Sequence, residues 1–128
     1  MSRKKCILIV EDDQETLQSL LRTILIKRRE VYEPLVCTDG YETLTYLKNK
    51  KIDLVLLDLN MKNLNGIEVC QEMAAHERWR SIPIIISSGY LDESMEDQLH
   101  NIGIQHFIKK PYTFDTLIGK VDEILKGS

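Results

Sequence analysis

A chain of 128 residues with 43% hydrophobic and 29% charged side chains is long enough for one folded domain and too apolar for intrinsic disorder. A formal net charge of −3 and a pI near 5.6 offer no basic surface for direct nucleic-acid binding. The apolar run behind the basic start at Arg3-Lys4-Lys5 is too short for a signal-peptide core, and no stretch nears the ~20 residues of a membrane span. The sequence therefore reads as one cytoplasmic domain over residues 1–128, without membrane association.

Short apolar runs alternate with helix-period segments along the chain. Cys6 to Val10 is continuously apolar, as a parallel strand covered on both faces would be. Leu17, Leu20, Leu21, Ile24 and Leu25 form a helical stripe, and the basic run Lys27-Arg28-Arg29 reads as its solvated end. Val31 to Cys37 is a second strand, placed at a sheet edge by Pro34, which cannot donate to a ladder. Asp39-Gly40 is a turn, and Leu44 and Leu47 face a short second helix inward. Ile52 to Leu57 is the third strand, and the loop from Asp58 to Asn65 leads through Gly66 into a helix facing inward with Ile67, Cys70 and Met73. Ile82 to Ile86 is the fourth strand, followed by a sparsely apolar helix over Leu91 to Asn101 with Met95 and Leu99. Ile104 to Ile108 is the fifth strand, and a last helix begins near Thr113.

Five strand–helix repeats with right-handed crossovers predict an α/β fold, a doubly wound parallel five-stranded sheet. An edge second strand suits the order 2-1-3-4-5, flavodoxin-like, with ligands at the carboxyl ends of the first and third strands. The odd, scattered Cys6, Cys37 and Cys70 sit in apolar stretches without metal-ligand spacing and read as reduced core thiols. His76, His100 and His106 are dispersed, and Tyr41, Tyr46 and Trp79 read as packing or surface aromatics.

The carboxyl edge gathers different chemistry. The first strand ends in Glu11-Asp12-Asp13, the third in Asp58, the fourth in Ser87-Ser88, and the fifth in Lys109-Lys110-Pro111. Asp13, directly before a helix, reads as an N-cap. Carboxylates converging from two adjacent strands repel unless a cation lies between them. A hard divalent ion such as Mg²⁺ suits oxygen ligands, and Lys110 supplies a second, compact positive charge. With a hydroxyl donor added, these parts suit phosphoryl transfer onto the Asp58 carboxylate.

The segments Ile7-Leu8-Ile9-Val10-Glu11-Asp12-Asp13, Leu56-Leu57-Asp58-Leu59-Asn60-Met61, Asn65-Gly66, Ser88-Gly89-Tyr90 and Lys110-Pro111 together resemble the receiver domain of two-component response regulators, over essentially the whole chain. The resemblance implies that Asp58 is the phosphoacceptor and that Mg²⁺ (or Mn²⁺) is bound by Asp12 directly, by Glu11 mainly through water, by Asp58, and by the backbone carbonyl of Asn60. It implies Lys110 as the family's lysine, Pro111 as a cis-proline candidate, Ser88 as the switch hydroxyl and Phe107 as the switch aromatic. Strand alternation points only one of Ser87 and Ser88 at the site, and Ser88 is preferred. Phosphate donors are expected from Ser88, Lys110 and backbone N–H groups near Asn60 and Gly89, and Tyr90 and the Asn60 side chain lie where they tune access of water.

The implied function is a phosphoacceptor that takes its phosphoryl group from a histidine kinase or a histidine phosphotransfer protein. It then switches the face made by the fourth helix, fifth strand and fifth helix toward an output domain or effector protein. It is not an enzyme beyond its own aspartyl phosphorylation and dephosphorylation. Lys62, where the family often has proline, is expected to reshape the third loop. Two other readings stay open, a receiver-like interaction module that takes no phosphate and an aspartate-nucleophile phosphohydrolase. The second usually needs an acid two residues after the nucleophile, where Asn60 stands. The final helix runs to the chain's last residues, so no output domain is expected within this sequence; a stand-alone regulator and a piece of a longer protein are equally open.

Overall fold

A computed structural model describes residues 3–61 and 65–126. Five strands, β1 (Lys5–Val10), β2 (Tyr32–Cys37), β3 (Leu54–Asp58), β4 (Ile84–Ser88) and β5 (His106–Lys109), alternate with helices α1 (Gln14–Lys27), α2 (Gly40–Asn49), α3 (Gly66–Ala75), α4 (Glu93–Ile102) and α5 (Phe114–Lys126). The sheet is parallel throughout, in the order β2-β1-β3-β4-β5. The predicted edge strand is β2, where Pro34 lies opposite Ile7 and its missing donor is tolerated because one flank is unpaired.

The helices start where short polar side chains satisfy their orphan N–H groups. Asp13, Asp39, Asn65 and Asp92 each accept from the backbone N–H three residues on, at 3.0, 2.7, 3.1 and 2.7 Å. Asp39 thus opens α2 directly rather than making a separate turn. At the start of α3 a Cβ on Gly66 would lie 2.6 Å from Leu59 Cδ1, so a larger residue there would require the Leu59 side chain to shift.

β3, β4 and β5 each begin two residues later than predicted, β3 at Leu54 rather than Ile52. β4 begins at Ile84 instead of Ile82, whose N–H is used by Trp79 O at 3.0 Å. β5 begins at His106 rather than Ile104 because the end of α4 takes the intervening residues. Gly103 adopts φ 109°, its N–H donates to His100 O, and Ile104 N donates to Leu99 O at 3.0 Å. That pairing is a left-handed helix cap, which closes α4 before the chain can extend.

Two cores cover the sheet. On one face Ile7, Ile9, Leu54, Leu56 and Ile85 pack against Leu17, Leu20 and Ile24 of α1 and Leu117, Ile118 and Val121 of α5. On the other, Leu8, Val10, Val55, Leu57 and Ile86 pack against α2, α3 and α4 through Leu47, Cys70, Met73 and Leu99. Each fully buried aliphatic side chain stabilises the fold by about 1.5–3 kcal/mol relative to exposure. The α1 stripe is narrower than predicted, since Leu25 turns outward and is exposed. The basic end of α1 is not merely solvated. Lys27 pairs with Asp115, and Arg28 Nη2 lies 2.5 Å from Asp122 Oδ2 on α5. The Tyr32 hydroxyl donates to Asp122 Oδ1 at 2.5 Å, so α1, β2 and α5 are tied at one corner.

Candidate functional site

Sheet register brings the site residues together. Val10 lies opposite Leu57, Asp58 opposite Ser87, and Ser87 opposite Ile108. The ladders run past the strand ends, because Glu11 N donates to Cys37 O and Lys110 N donates to Ser88 O at 2.9 Å. Because side chains alternate along each strand, Glu11, Asp58 and Ser87 follow Ile9, Leu56 and Ile85 onto the α1/α5 face.

Glu11 and Asp58 are only 3% and 5% exposed, whereas Asp12 is open to solvent. Oxygen atoms of all three lie within 4.8 Å of one another. Lys110 Nζ bridges the buried pair, 3.1 Å from Glu11 Oε1 and 3.2 Å from Asp58 Oδ2. The remaining oxygens meet backbone donors, Asp13 N on Glu11 Oε2 at 3.2 Å and Asn60 N on Asp58 Oδ1 at 3.1 Å. Asp13 itself is occupied as the cap of α1 and its carboxyl is held low, chiefly by the Thr16 hydroxyl and N–H.

Burial pushes the Glu11 carboxyl up; the Asp13 N–H opposes this, the neighbouring Asp58 adds to it, and Lys110 opposes it. Burial alone would lower Lys110, but Glu11 and Asp58 outweigh it and hold the ammonium above its ordinary value. Three carboxylates facing one ammonium leave a surplus of negative charge at one rim. An all-oxygen donor set of this kind fits Mg²⁺ or Mn²⁺, hard ions that neutralise such a surplus.

Ser88 lies on the α3/α4 side of the strand. Its Oγ is 2.9 Å from Asn60 Oδ1 and 2.5 Å from the Tyr90 carbonyl, two acceptors competing for one proton, and it accepts from Tyr90 N at 3.1 Å. Asn60 Oδ1 also accepts from Gly89 N at 3.1 Å. Phe107 is half-buried, with its ring centroid 5.1 Å from that of His100. It lines an open cavity of about 420 Å³ together with Ser88, Tyr90, Leu91 and Glu96. The Lys110–Pro111 peptide is cis. Lys62 lies outside the described residues.

Sequence reasoning missed two features. One is the use of the Asn60 side chain as a latch on Ser88 and Gly89. The other is the pair Ser87 and Tyr112, whose hydroxyl oxygens are buried without a protein partner. A serine continuing the all-isoleucine run of β4, and a tyrosine directly after Pro111, were the signals available.

The family model described as the response regulator receiver domain matches residues 7–122. The chain is 31% identical over 121 residues to the CAI-1 autoinducer sensor kinase/phosphatase CqsS of Vibrio cholerae, covering 94% of this chain and 17% of that protein. It is 32% identical to the sensory transduction protein RegX3 of Mycobacterium tuberculosis, covering 94% of this chain and 50% of that one. The chain thus spans half or less of these relatives' lengths. A CheY-like response regulator receiver domain protein from Methanospirillum hungatei superposes with a TM-score of 0.86 at 26% identity, over 98% of this chain and 96% of the other.

Proposed function

The chain belongs to the receiver domain family of two-component response regulators, and from that premise we propose that Asp58 is its phosphoacceptor. A receiver is a signalling module rather than an enzyme that turns over a substrate. The observation that carries the assignment is Lys110 Nζ held between two buried carboxylates, 3.1 Å from Glu11 and 3.2 Å from Asp58, with Asp12 at the same rim.

Asp12, Glu11 and Asp58, with the Asn60 carbonyl, would hold Mg²⁺ or Mn²⁺. Such an ion, when bound, neutralises charge spreading over the transferring phosphoryl oxygens. An Asp58 carboxylate oxygen forms a bond to phosphorus as the phosphorus–nitrogen bond of a donor phosphohistidine breaks, its electron pair leaving with the imidazole. Lys110 offers its ammonium to the same oxygens, and the Asn60 N–H keeps the carboxylate oriented. The donor is a histidine kinase or a histidine phosphotransfer protein, and the setting is the cytoplasm. Among the described residues no helix is long and apolar enough to cross a membrane. Acceptor oxygens on the new group would draw the Ser88 hydroxyl away from Tyr90 and Asn60. Phe107 would then turn into the cavity beside Ser88, changing the α4–β5–α5 face read by an output domain or effector.

Incubation with acetyl phosphate and Mg²⁺, followed by intact mass measurement, should add one phosphoryl group to the wild-type chain and none to Asp58→Asn. Equal labelling of Asp58→Asn would place the acceptor elsewhere.

A further inference from the structure

Ser87 is 2% exposed, and its Oγ has no partner among the described residues, although it occupies the register position opposite Asp58 on the same sheet face. The Tyr112 hydroxyl is likewise buried and unpaired. It belongs to the α1/α5-side core, where its ring meets Phe114 edge-on at 6.1 Å. Ser87 is its polar neighbour, and Lys110, Glu11 and Asp58 all lie within electrostatic reach. Two buried hydroxyls thus sit under the charged rim. A buried hydroxyl left unsatisfied is destabilising, so an arrangement that uses both is favoured.

One arrangement uses both, because Ser87 lies opposite Asp58 on the neighbouring strand. We propose that Tyr112 and Ser87 form a relay in which the Tyr112 O–H donates to Ser87 Oγ and the Ser87 O–H donates to the Asp58 carboxylate, making both positioning residues that shorten the life of the phosphorylated state. This rests on Asp58 being the phosphoacceptor.

The reason is differential hydrogen bonding. A donor is held more strongly by an ionised carboxylate than by the ester and carbonyl oxygens of an acyl phosphate. In hydrolysis, water bonds to phosphorus, the Asp58 oxygen–phosphorus bond breaks with its electron pair going to the carboxylate, and the proton lost by water goes to solvent. The relay stabilises the departing carboxylate, and so the transition state that resembles it. Ser87, beside Asp58 on the adjacent strand and on the same sheet face, is placed to act on the carboxylate.

The test uses the whole chain, charged with acetyl phosphate and Mg²⁺ and then freed of donor, with phosphate release followed in time. Ser87→Ala and Tyr112→Phe should each lengthen the half-life by roughly threefold to tenfold, the scale of part of one hydrogen bond to a charged group. Ser87→Thr should restore the wild-type value, and the double variant should match Ser87→Ala, because Tyr112 acts through Ser87. Half-lives that are unchanged, shorter or additive overturn the relay, whatever the melting temperatures do. A second readout needs no phosphoryl group: the wild-type Tyr112 hydroxyl proton should appear in NMR spectra as slowly exchanging and vanish in Ser87→Ala. Its absence in the wild type, or its persistence in the variant, also overturns the relay. If the wild-type chain takes no label, the phosphoacceptor assignment falls while this resonance still decides the relay.

Discussion

The carboxyl rim and the α1–β2–α5 corner both gather charged side chains, buried at the rim and partly exposed at the corner, and treat them in opposite ways. At the corner Asp122 receives Arg28 and the Tyr32 hydroxyl. Those two partners hold its carboxyl below the ordinary range, Arg28 first. At the rim Glu11 is pushed up, chiefly by burial, and one lysine serves two buried acids. Complete pairing serves the fold; incomplete pairing leaves room for a ligand, at a cost in stability.

Removing the corner should have the largest effect on stability. Asp122→Ala strands the Tyr32 hydroxyl, in a residue only 4% exposed, and should cost about 2 kcal/mol, lowering the melting temperature by roughly 6–10 °C. Labelling by acetyl phosphate should survive at temperatures where the variant is folded. A loss of labelling would show that the two regions are not separable.

Relieving the rim should act in the other direction and be smaller. In chelator, Glu11→Gln removes a buried charge that lies close to Asp58 and should stabilise the chain by about 1 kcal/mol in thermal melts. Added Mg²⁺ should then raise the melting temperature of the wild type more than that of Glu11→Gln. Destabilisation in chelator would mean that the Lys110 contact outweighs the charge crowding.

The smallest effect is in the pH profile, where the two regions have opposite signs. Asp122, with its folded pKa depressed, contributes stability that is present above its ordinary value near 3.8 and is lost as pH falls through the folded value. Glu11, with its folded pKa raised above 4.5, contributes stability below that value that is lost as pH rises through the folded one. Melts in chelator should therefore show Asp122→Asn flattening the acid limb and Glu11→Gln flattening the limb above pH 4.5. The same change in both variants would remove the distinction.

The sequence made the strands legible because doubly covered parallel strands are continuously apolar, and Pro34 marked the edge. Their ends were less legible where hydrogen-bond accounting in space decided them, as at Ile104, which serves the cap of α4. Glu11, Asp12, Asp58 and Lys110 stood out because charge at the ends of apolar runs is costly without a purpose. The corner was hidden: Arg28 and Asp122 are 94 residues apart, and an adjacent basic run looks the same whether solvated or paired. Ser87 was legible only as the alternative to Ser88, since adjacent serines differ only in the face they take, and the register puts it on the face of Asp58.

That difference of face has a geometric consequence. The sheet is a bulkhead, with Asp58 on the α1/α5 side and Ser88 and Phe107 on the side of α3 and α4. Isoleucine, leucine and valine side chains pack both faces of the sheet. Crossing happens over the rim, where Asn60 grips Asp58 with its backbone and Ser88 and Gly89 with its side chain. Asn60, just past the end of the strand that carries Asp58, therefore has a hydrogen bond in each compartment.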